Sequence, residues 1–380
     1  MTIEKIVTDI EFEQNISHEC ERKFLPIFPE QLESLRAESF PIEQFYLSHP
    51  DEPFSLRMRE TFANGELSYE VTLKDTGTFT ADGINRIEVT APIDAALYRS
   101  YKSSETPVLR KLRAEPVRDT IVDFYEDGSI QVESESPESW SAFTRQYGSH
   151  FVETTGQHAS SNEWRAHLSF RRNNEGREAL IPQAELAASD IVRDIIEKTT
   201  HGVPITVHVG GRSGSGKSTI VREVITELAS LGISANVMST DDYHRGVTWL
   251  EQYNNGEPWV HWDDSVVYDT GAMAEDLANL RSGLRIYQRH IDWTVVEPVY
   301  DGLIEPRDVL IIEGIYATSQ DITNEGDPSY MMATPLATCV GRRLIRDMRE
   351  RPEFADPVKS LSYMLTEAEP AYRAQHGGVE

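Results

Sequence analysis

Residues 211–219 read Gly211-Arg212-Ser213-Gly214-Ser215-Gly216-Lys217-Ser218-Thr219. The spacing G-x-x-x-x-G-K-[ST] suits a phosphate chain: glycines let backbone N–H groups turn inward, and a following helix N-terminus adds partial positive charge. Lys217 then neutralises β- and γ-phosphates, and the Ser218 hydroxyl is placed to hold Mg²⁺. Two acids belong to the same chemistry. Asp241, in Thr240-Asp-Asp-Tyr-His-Arg245, is suited to accept a proton from a substrate hydroxyl. Glu313 is suited to order the hydration shell of the metal.

A second set, of charged or polar residues, lies in the N-terminal half, spaced by two. It comprises Glu19, Glu21 and Lys23, then Arg57 and Arg59, Thr72 and Lys74, Arg86 and Glu88, Lys111 and Arg113, and Glu133 and Glu135. In a strand, alternate side chains share a face, so each segment aims its charges one way. Leu56 and Met58, and Leu67, Tyr69, Val71 and Leu73, occupy the other phase. A sheet with one solvated face has this alternation too. The sorting of acids to the outer segments and bases to the middle ones suits an inward face of a closed sheet. Buried charge needs a charged guest: carboxylates suit Mg²⁺ or Mn²⁺, and lysines and arginines suit a polyphosphate.

The elements that must position these residues differ between the halves. Residues 1–175 read as β-rich; 176–202 as a turn-prone join and an amphipathic helix on Leu186, Ile191, Val192 and Ile195; and 203–380 as alternating strands and helices, hence a parallel sheet with helices on both faces. Strands are expected at 203–209, 234–239 and 308–312, with Lys217, Asp241 and Glu313 sharing the crevice beyond their carboxyl ends. Arg342, Arg343, Arg346, Arg349 and Arg351 crowd one short segment. They fit anion binding over the phosphates, or pairing with Asp347 and Glu350 along a helix.

At 380 residues with a net charge of −27, the chain has room for two cores, and a general nucleic-acid binder is excluded as a class. Cys20 and Cys339 are too few for a disulfide framework, and no stretch reads as a signal peptide or membrane span. A cytoplasmic protein is expected.

Glu19-Cys-Glu-Arg-Lys23 matches the E-x-E-x-K signature of the CYTH family, the triphosphate tunnel metalloenzymes. Leu56–Arg59, Val71–Lys74, Asn85–Glu88, Arg110–Arg113 and Gln131–Glu135 follow in that family's order. The resemblance covers roughly 15–165 and implies an eight-stranded antiparallel tunnel. It also implies Glu19, Glu21, Glu133 and Glu135 as metal ligands, and Lys23, Arg57, Arg59, Lys74, Arg86, Lys111 and Arg113 as triphosphate ligands. Phe151–Thr155 is similar as well, but the tyrosine expected after it is missing; His158 is nearest.

Residues 203–375 resemble the uridine kinase branch of the P-loop kinases. The carriers are Gly211–Thr219, Thr240–Arg245, Trp262-Asp263 with Tyr268-Asp269, Asp308–Ala317 and Arg342–Asp347. The resemblance implies Asp241 as catalytic base, Asp263 as a ribose contact, and Arg343, Arg346 and Arg351 as lid. Tyr287 matches the tyrosine of the base-recognition stretch, whose histidine and arginine are not in place, and no segment after Ala371-Tyr372 reads as that family's last strand. Trp249, Tyr253, Trp259 and Trp262 suit either stacking on a flat substrate or a local aromatic core.

Together these features lead to the expectation of two sites. A metal-dependent tunnel binds or hydrolyses an inorganic or nucleoside polyphosphate. A kinase moves a phosphoryl group from ATP or GTP to a small hydroxyl acceptor, with nucleosides, uridine included, in range. The alternatives are a tunnel that only senses its ligand, and a kinase-like half that is only a nucleotide-binding switch.

Overall fold

A computed structural model describes residues 17–80, 83–198, 204–350 and 356–376, with the backbone alone for 17–19. The chain divides into two units, one formed by residues up to Pro182 together with Leu336–Ser362, the other by Gln183–Pro335 with the segment from Tyr363. Among the described residues, no helix is long and apolar enough to cross a membrane.

In the first unit the period-two charge pattern becomes strands. These are β1 (Ser17–Pro26), β2 (Phe40–Tyr46), β3 (Phe54–Ala63), β4 (Glu66–Asp75), β5 (Thr78–Thr80), β6 (Gly83–Pro92), β7 (Val108–Val117), β8 (Thr120–Tyr125), β9 (Ile130–Ser134) and β10 (Phe151–Glu153). Their order is β10-β1-β9-β8-β7-β2-β3-β4-β6-β5, and a further pairing of β1 with β6 closes eight of them into an antiparallel barrel. Closure divides β1 between two partners: Ser17–Glu21 lies opposite Glu88–Ile84, and Arg22–Phe24 opposite Ser134–Val132. The β3–β4 turn is Asn64-Gly65, with φ of 54° and 81°. Two successive positive-φ residues match the twist of the flanking strands, which is why Asn-Gly suits that turn.

The barrel keeps its apolar face outside. Phe24, Val122, Phe124, Ile130 and Val132 pack with Leu32 and Leu35 of the 3₁₀ helix Pro29–Glu38 and Phe143 of the helix Pro137–Tyr147. Leu56 and Met58 on β3 are fully buried. The helix Leu336–Glu350 belongs to this unit, and its Gly341 lies against the Phe54 ring. Each fully buried side chain of this size contributes roughly 1.5–3 kcal/mol. The outer layer therefore supplies apolar burial for the barrel.

In the second unit, β11 (Ile205–Gly210), β12 (Ala235–Ser239), β15 (Val309–Gly314) and β16 (Ser329–Met331) form a parallel sheet ordered β12-β15-β11-β16, while β13 (Ile286–Asp292) and β14 (Glu297–Ile304) pair as a separate hairpin. Alternate residues cover alternate faces. Val207, Val209, Val309 and Ile311 pack on Ile220, Val221, Val224 and Leu228 of the helix Lys217–Ser230 and on Ile191, Val192 and Ile195 of the helix Ala188–Lys198. Leu310, Ile312 and Met238 pack on Met273, Leu277 and Leu280 of the helix Thr270–Arg281.

Candidate functional site

The barrel encloses a cavity of about 510 Å³. Lys23, Arg57, Arg59, Lys74, Arg86 and Arg113 line it, with Glu21, Glu88, Glu133, Glu135 and Glu163 among the acids. The inward phase is thus the charged one, and six of the seven expected triphosphate residues share one space. Lys111 is the exception. Its ammonium is fully enclosed, 2.5 Å from Asp123, and it does not reach the cavity wall.

Within the cavity the cations are crowded. Burial, with Arg57 and Arg113 alongside, pushes Arg59 down to about 10. Arg57 reaches Thr72 Oγ1 at 3.0 Å and lies 3.7 Å from Glu70 and 3.8 Å from Glu88. Lys74 pairs with Glu88 at 2.6 Å. Burial and mutual repulsion together make such a wall receptive to an anion.

Of the expected metal ligands, Glu21 and Glu133 flank Lys23, whose Nζ is 3.2 Å from the first and 2.9 Å from the second. Although burial opposes it, the two carboxylates hold Lys23 above its ordinary value. Arg86 donates to Glu21 at 2.6 Å. Glu135 lines the same cavity. Glu19 pairs by its backbone with Arg86, and its side chain lies outside the description. Among the described residues, no three metal-binding side chains converge into a ready-made centre. The donors are nevertheless oxygens of the hard class that Mg²⁺ or Mn²⁺ takes.

Asp123 was not legible as a site residue. It is completely buried on β8, accepts from Arg113 through two nitrogens at 2.8 Å each, and also pairs with Lys111. Burial alone would raise its pKa, yet Arg113 and Lys111 hold it below the carboxylate range. The signal in the sequence was one acid inside the apolar run Ile121-Val-Asp-Phe-Tyr125.

In the second unit the parallel register builds the other site. Ser239 of β12 and Val209 of β11 both lie opposite Glu313 of β15, so the carboxyl ends of three adjacent strands come together. Lys217 Nζ donates to the carbonyls of Gly211 and Arg212 at 2.9 Å each. Ser218 Oγ donates to Glu313 Oε2 at 3.3 Å. Arg212 is held by Glu369 at 2.9 and 3.0 Å. Gly314 follows Glu313 with φ 143°, and a Cβ there would meet Thr240 Oγ1 at 1.8 Å. Only glycine lets this strand end meet the loop that carries Asp241.

Burial raises the Glu313 pKa, and the Asp241 charge adds to that against the opposing effect of Lys217. Burial and Asp241 likewise push Asp242 up to about 6. Carboxylates gathered beside a lysine and a hydroxyl suit Mg²⁺ with its water shell. Ser218 and Glu313 are the residues that would hold it, directly or through water.

The expected acceptor residues separate. Asp263 is buried, its carboxylate accepting from Tyr363 Oη at 2.8 Å. Tyr287 stands 71% exposed on β13. Trp259 and Trp262 pack against the core of Leu250, Tyr268, Tyr316 and Tyr372, whereas Tyr253 is exposed and stacks on Trp249. Arg343 and Arg346 lie on the helix Leu336–Glu350, each within 3.4 Å of the buried Asp347. Arg351 lies outside the described residues.

Comparison with known proteins concerns mainly the second unit. Residues 206–373 match the model of the phosphoribulokinase/uridine kinase family. The uridine kinase of Aeromonas hydrophila subsp. hydrophila is 31% identical over 163 residues, 40% of this chain and 73% of that protein. That of Ureaplasma urealyticum serovar 10 is 28% identical over 159 residues, 39% of this chain and 71% of that protein. A crystal structure of an inorganic triphosphatase superposes with a TM-score of 0.25 at 22% identity, over 39% of this chain and 93% of that chain.

Proposed function

Because this chain belongs to the phosphoribulokinase/uridine kinase family over residues 206–373, we propose that its second unit transfers the γ-phosphoryl of ATP or GTP to the hydroxyl of a small acceptor of the nucleoside class, and that its barrel binds a tri- or polyphosphate as a second site. The observation that carries the first part is the meeting of Lys217, Ser218, Asp241 and Glu313 around three adjacent strand ends. Backbone N–H groups of Gly211–Thr219 hold the phosphates, and Lys217 leaves its two carbonyl partners for the β- and γ-oxygens. Asp241 takes the proton of the acceptor hydroxyl as its oxygen attacks the γ-phosphorus, and the bond to the leaving nucleoside diphosphate breaks. Mg²⁺, when bound, supplies charge neutralisation for the phosphates. Asp263 and Tyr287 serve the acceptor.

The barrel reading rests on six cations lining one cavity. Lys23, Arg57, Arg59, Lys74, Arg86 and Arg113 bind the phosphate chain. Glu19, Glu21, Glu133 and Glu135 hold the divalent ion, which when bound offsets the charge of that chain and polarises its phosphoryl oxygens.

The test uses the full chain with Mg²⁺ and either ATP plus a nucleoside panel or tripolyphosphate alone. Lys217→Ala removes transfer and spares tripolyphosphate binding; Arg57→Ala does the reverse. Loss of both functions in either single variant overturns the two-site reading. Binding of tripolyphosphate without turnover assigns the barrel to sensing.

A further inference from the structure

The cavity wall contains one acid that the expected ligand sets do not use. Glu163 stands in the first turn of the helix Asn162–Asn173 and lines the cavity beside Ser55 and Lys74. Its carboxyl accepts from Ser48 Oγ and from Ser55. Those are neutral hydroxyls; Glu21 pairs with Arg86 and Glu133 with Lys23, whereas among the described residues Glu163 has no such ion pair.

The charged and titratable groups around Glu163 come from each neighbouring element. From β2 comes Tyr46, on the same cavity wall, and from the β2–β3 loop come Glu52, His49 and Asp51. Glu52 is buried and accepts from His49 N at 2.7 Å and Thr338 Oγ1 at 3.1 Å. From β6 comes Arg86, already engaged with Glu21, and from β4 comes Lys74, paired with Glu88. On its own helix, His167 Nε2 meets Ser48 O at 3.0 Å, and its ring packs edge-on against His49.

We propose that Glu163 makes anion capture in the barrel proton-linked: the cavity takes a polyphosphate with the Glu163 carboxyl neutral, its O–H donated to a phosphate oxygen, and an ionised Glu163 excludes the ligand. An ionised carboxylate offers a phosphate only repulsion, whereas the neutral acid offers a donor. Burial, with Glu52 adding to it against the hydroxyl bonds and the Arg86 charge, pushes Glu163 up to about 7, so the change of state falls near neutrality. Nearby, burial pushes His167 down to about 4, which keeps it neutral there. The inference rests on the barrel as a polyphosphate site.

The test is calorimetric binding of inorganic tripolyphosphate to the full chain from pH 6 to 9, for the parent, Glu163→Gln and Glu52→Gln, whose carboxyl lies off the cavity wall and whose loss moves the onset of a Glu163-linked fall to lower pH without changing its slope. Protonation of tripolyphosphate itself is common to all three and cancels in the comparison. Above pH 7 the parent and Glu52→Gln lose affinity about tenfold per pH unit relative to Glu163→Gln, the slope of one linked proton. Glu163→Ala, which also removes the carboxyl, flattens the profile in the same way and stands in if the glutamine variant fails to fold. Equal slopes in the parent and both Glu163 variants overturn the proton link and leave the polyphosphate site standing. No binding by the parent at any pH overturns the site and the proton link together.

Discussion

Asp123 grips Arg113 through two guanidinium nitrogens at 2.8 Å each, from a position with no solvent exposure. The same carboxylate holds Lys111, so one acid behind the wall aims a cation that stands on it. Asp123→Asn keeps the shape and removes the carboxylate charge from buried Lys111 and from Arg113. A loss of about 3–5 kcal/mol is expected, the cost of breaking a buried pair. Urea unfolding measures it, and tripolyphosphate binding should weaken alongside because Arg113 loses its orientation. An unchanged unfolding midpoint would remove the anchoring role.

The cavity charges divide by task. Arg57→Ala should weaken tripolyphosphate binding about ten- to a hundred-fold, the worth of one charge-assisted contact. Glu21→Gln, a change of nearly equal shape, should leave binding within a few-fold of the parent and raise the Mg²⁺ or Mn²⁺ concentration needed for any hydrolysis. Titrations with and without Mg²⁺ decide, and parent-like behaviour of Arg57→Ala refutes a role for that wall.

For phosphoryl transfer, Lys217→Ala should lower the rate by about 10²-fold or more, as loss of a preorganised charge does. Asp241→Asn should leave ATP binding near the parental value and remove transfer, because binding needs no base. A nucleotide-exchange titration alongside a product assay separates the two; equal loss of nucleotide binding in Asp241→Asn refutes the assignment.

His167 sets an acid limit on the first unit. Burial pushes it down to about 4, well below its ordinary value. A depressed folded value stabilises above the unfolded one, near 6.5, and that stabilisation drains as pH falls towards 4. Up to about 3 kcal/mol is at stake, at 1.36 kcal/mol per unit. His167→Gln should therefore narrow the loss of stability between pH 7 and pH 4.5 relative to the parent, read as the difference in unfolding midpoints. An identical pH dependence in both chains counts against a buried neutral imidazole.

The sequence alone determined the features governed by neighbours along the chain. Gly211–Thr219 carries its own backbone requirements, and the period-two charges at Arg57 and Arg59, or Lys111 and Arg113, determine which side chains share a face. The alternation of charged and apolar residues likewise indicated a β-rich half, and the alternation of strands and helices a parallel-sheet half. Only tertiary structure could decide matters set by contacts far apart in sequence. Pairing of β1 with β6 makes the charged face an interior, and no local pattern encodes that closure. Lys111 and Arg113 look alike in sequence, yet the bond to Asp123 encloses Lys111 and leaves Arg113 on the wall. The arginine-bearing helix Leu336–Glu350, with Val340 and Leu344 on its buried face, falls with the first unit although it follows the second unit's strands along the chain. Glu163 reaches the cavity only because its helix packs with β2 and β7, a contact fixed by burial and not by spacing along the chain.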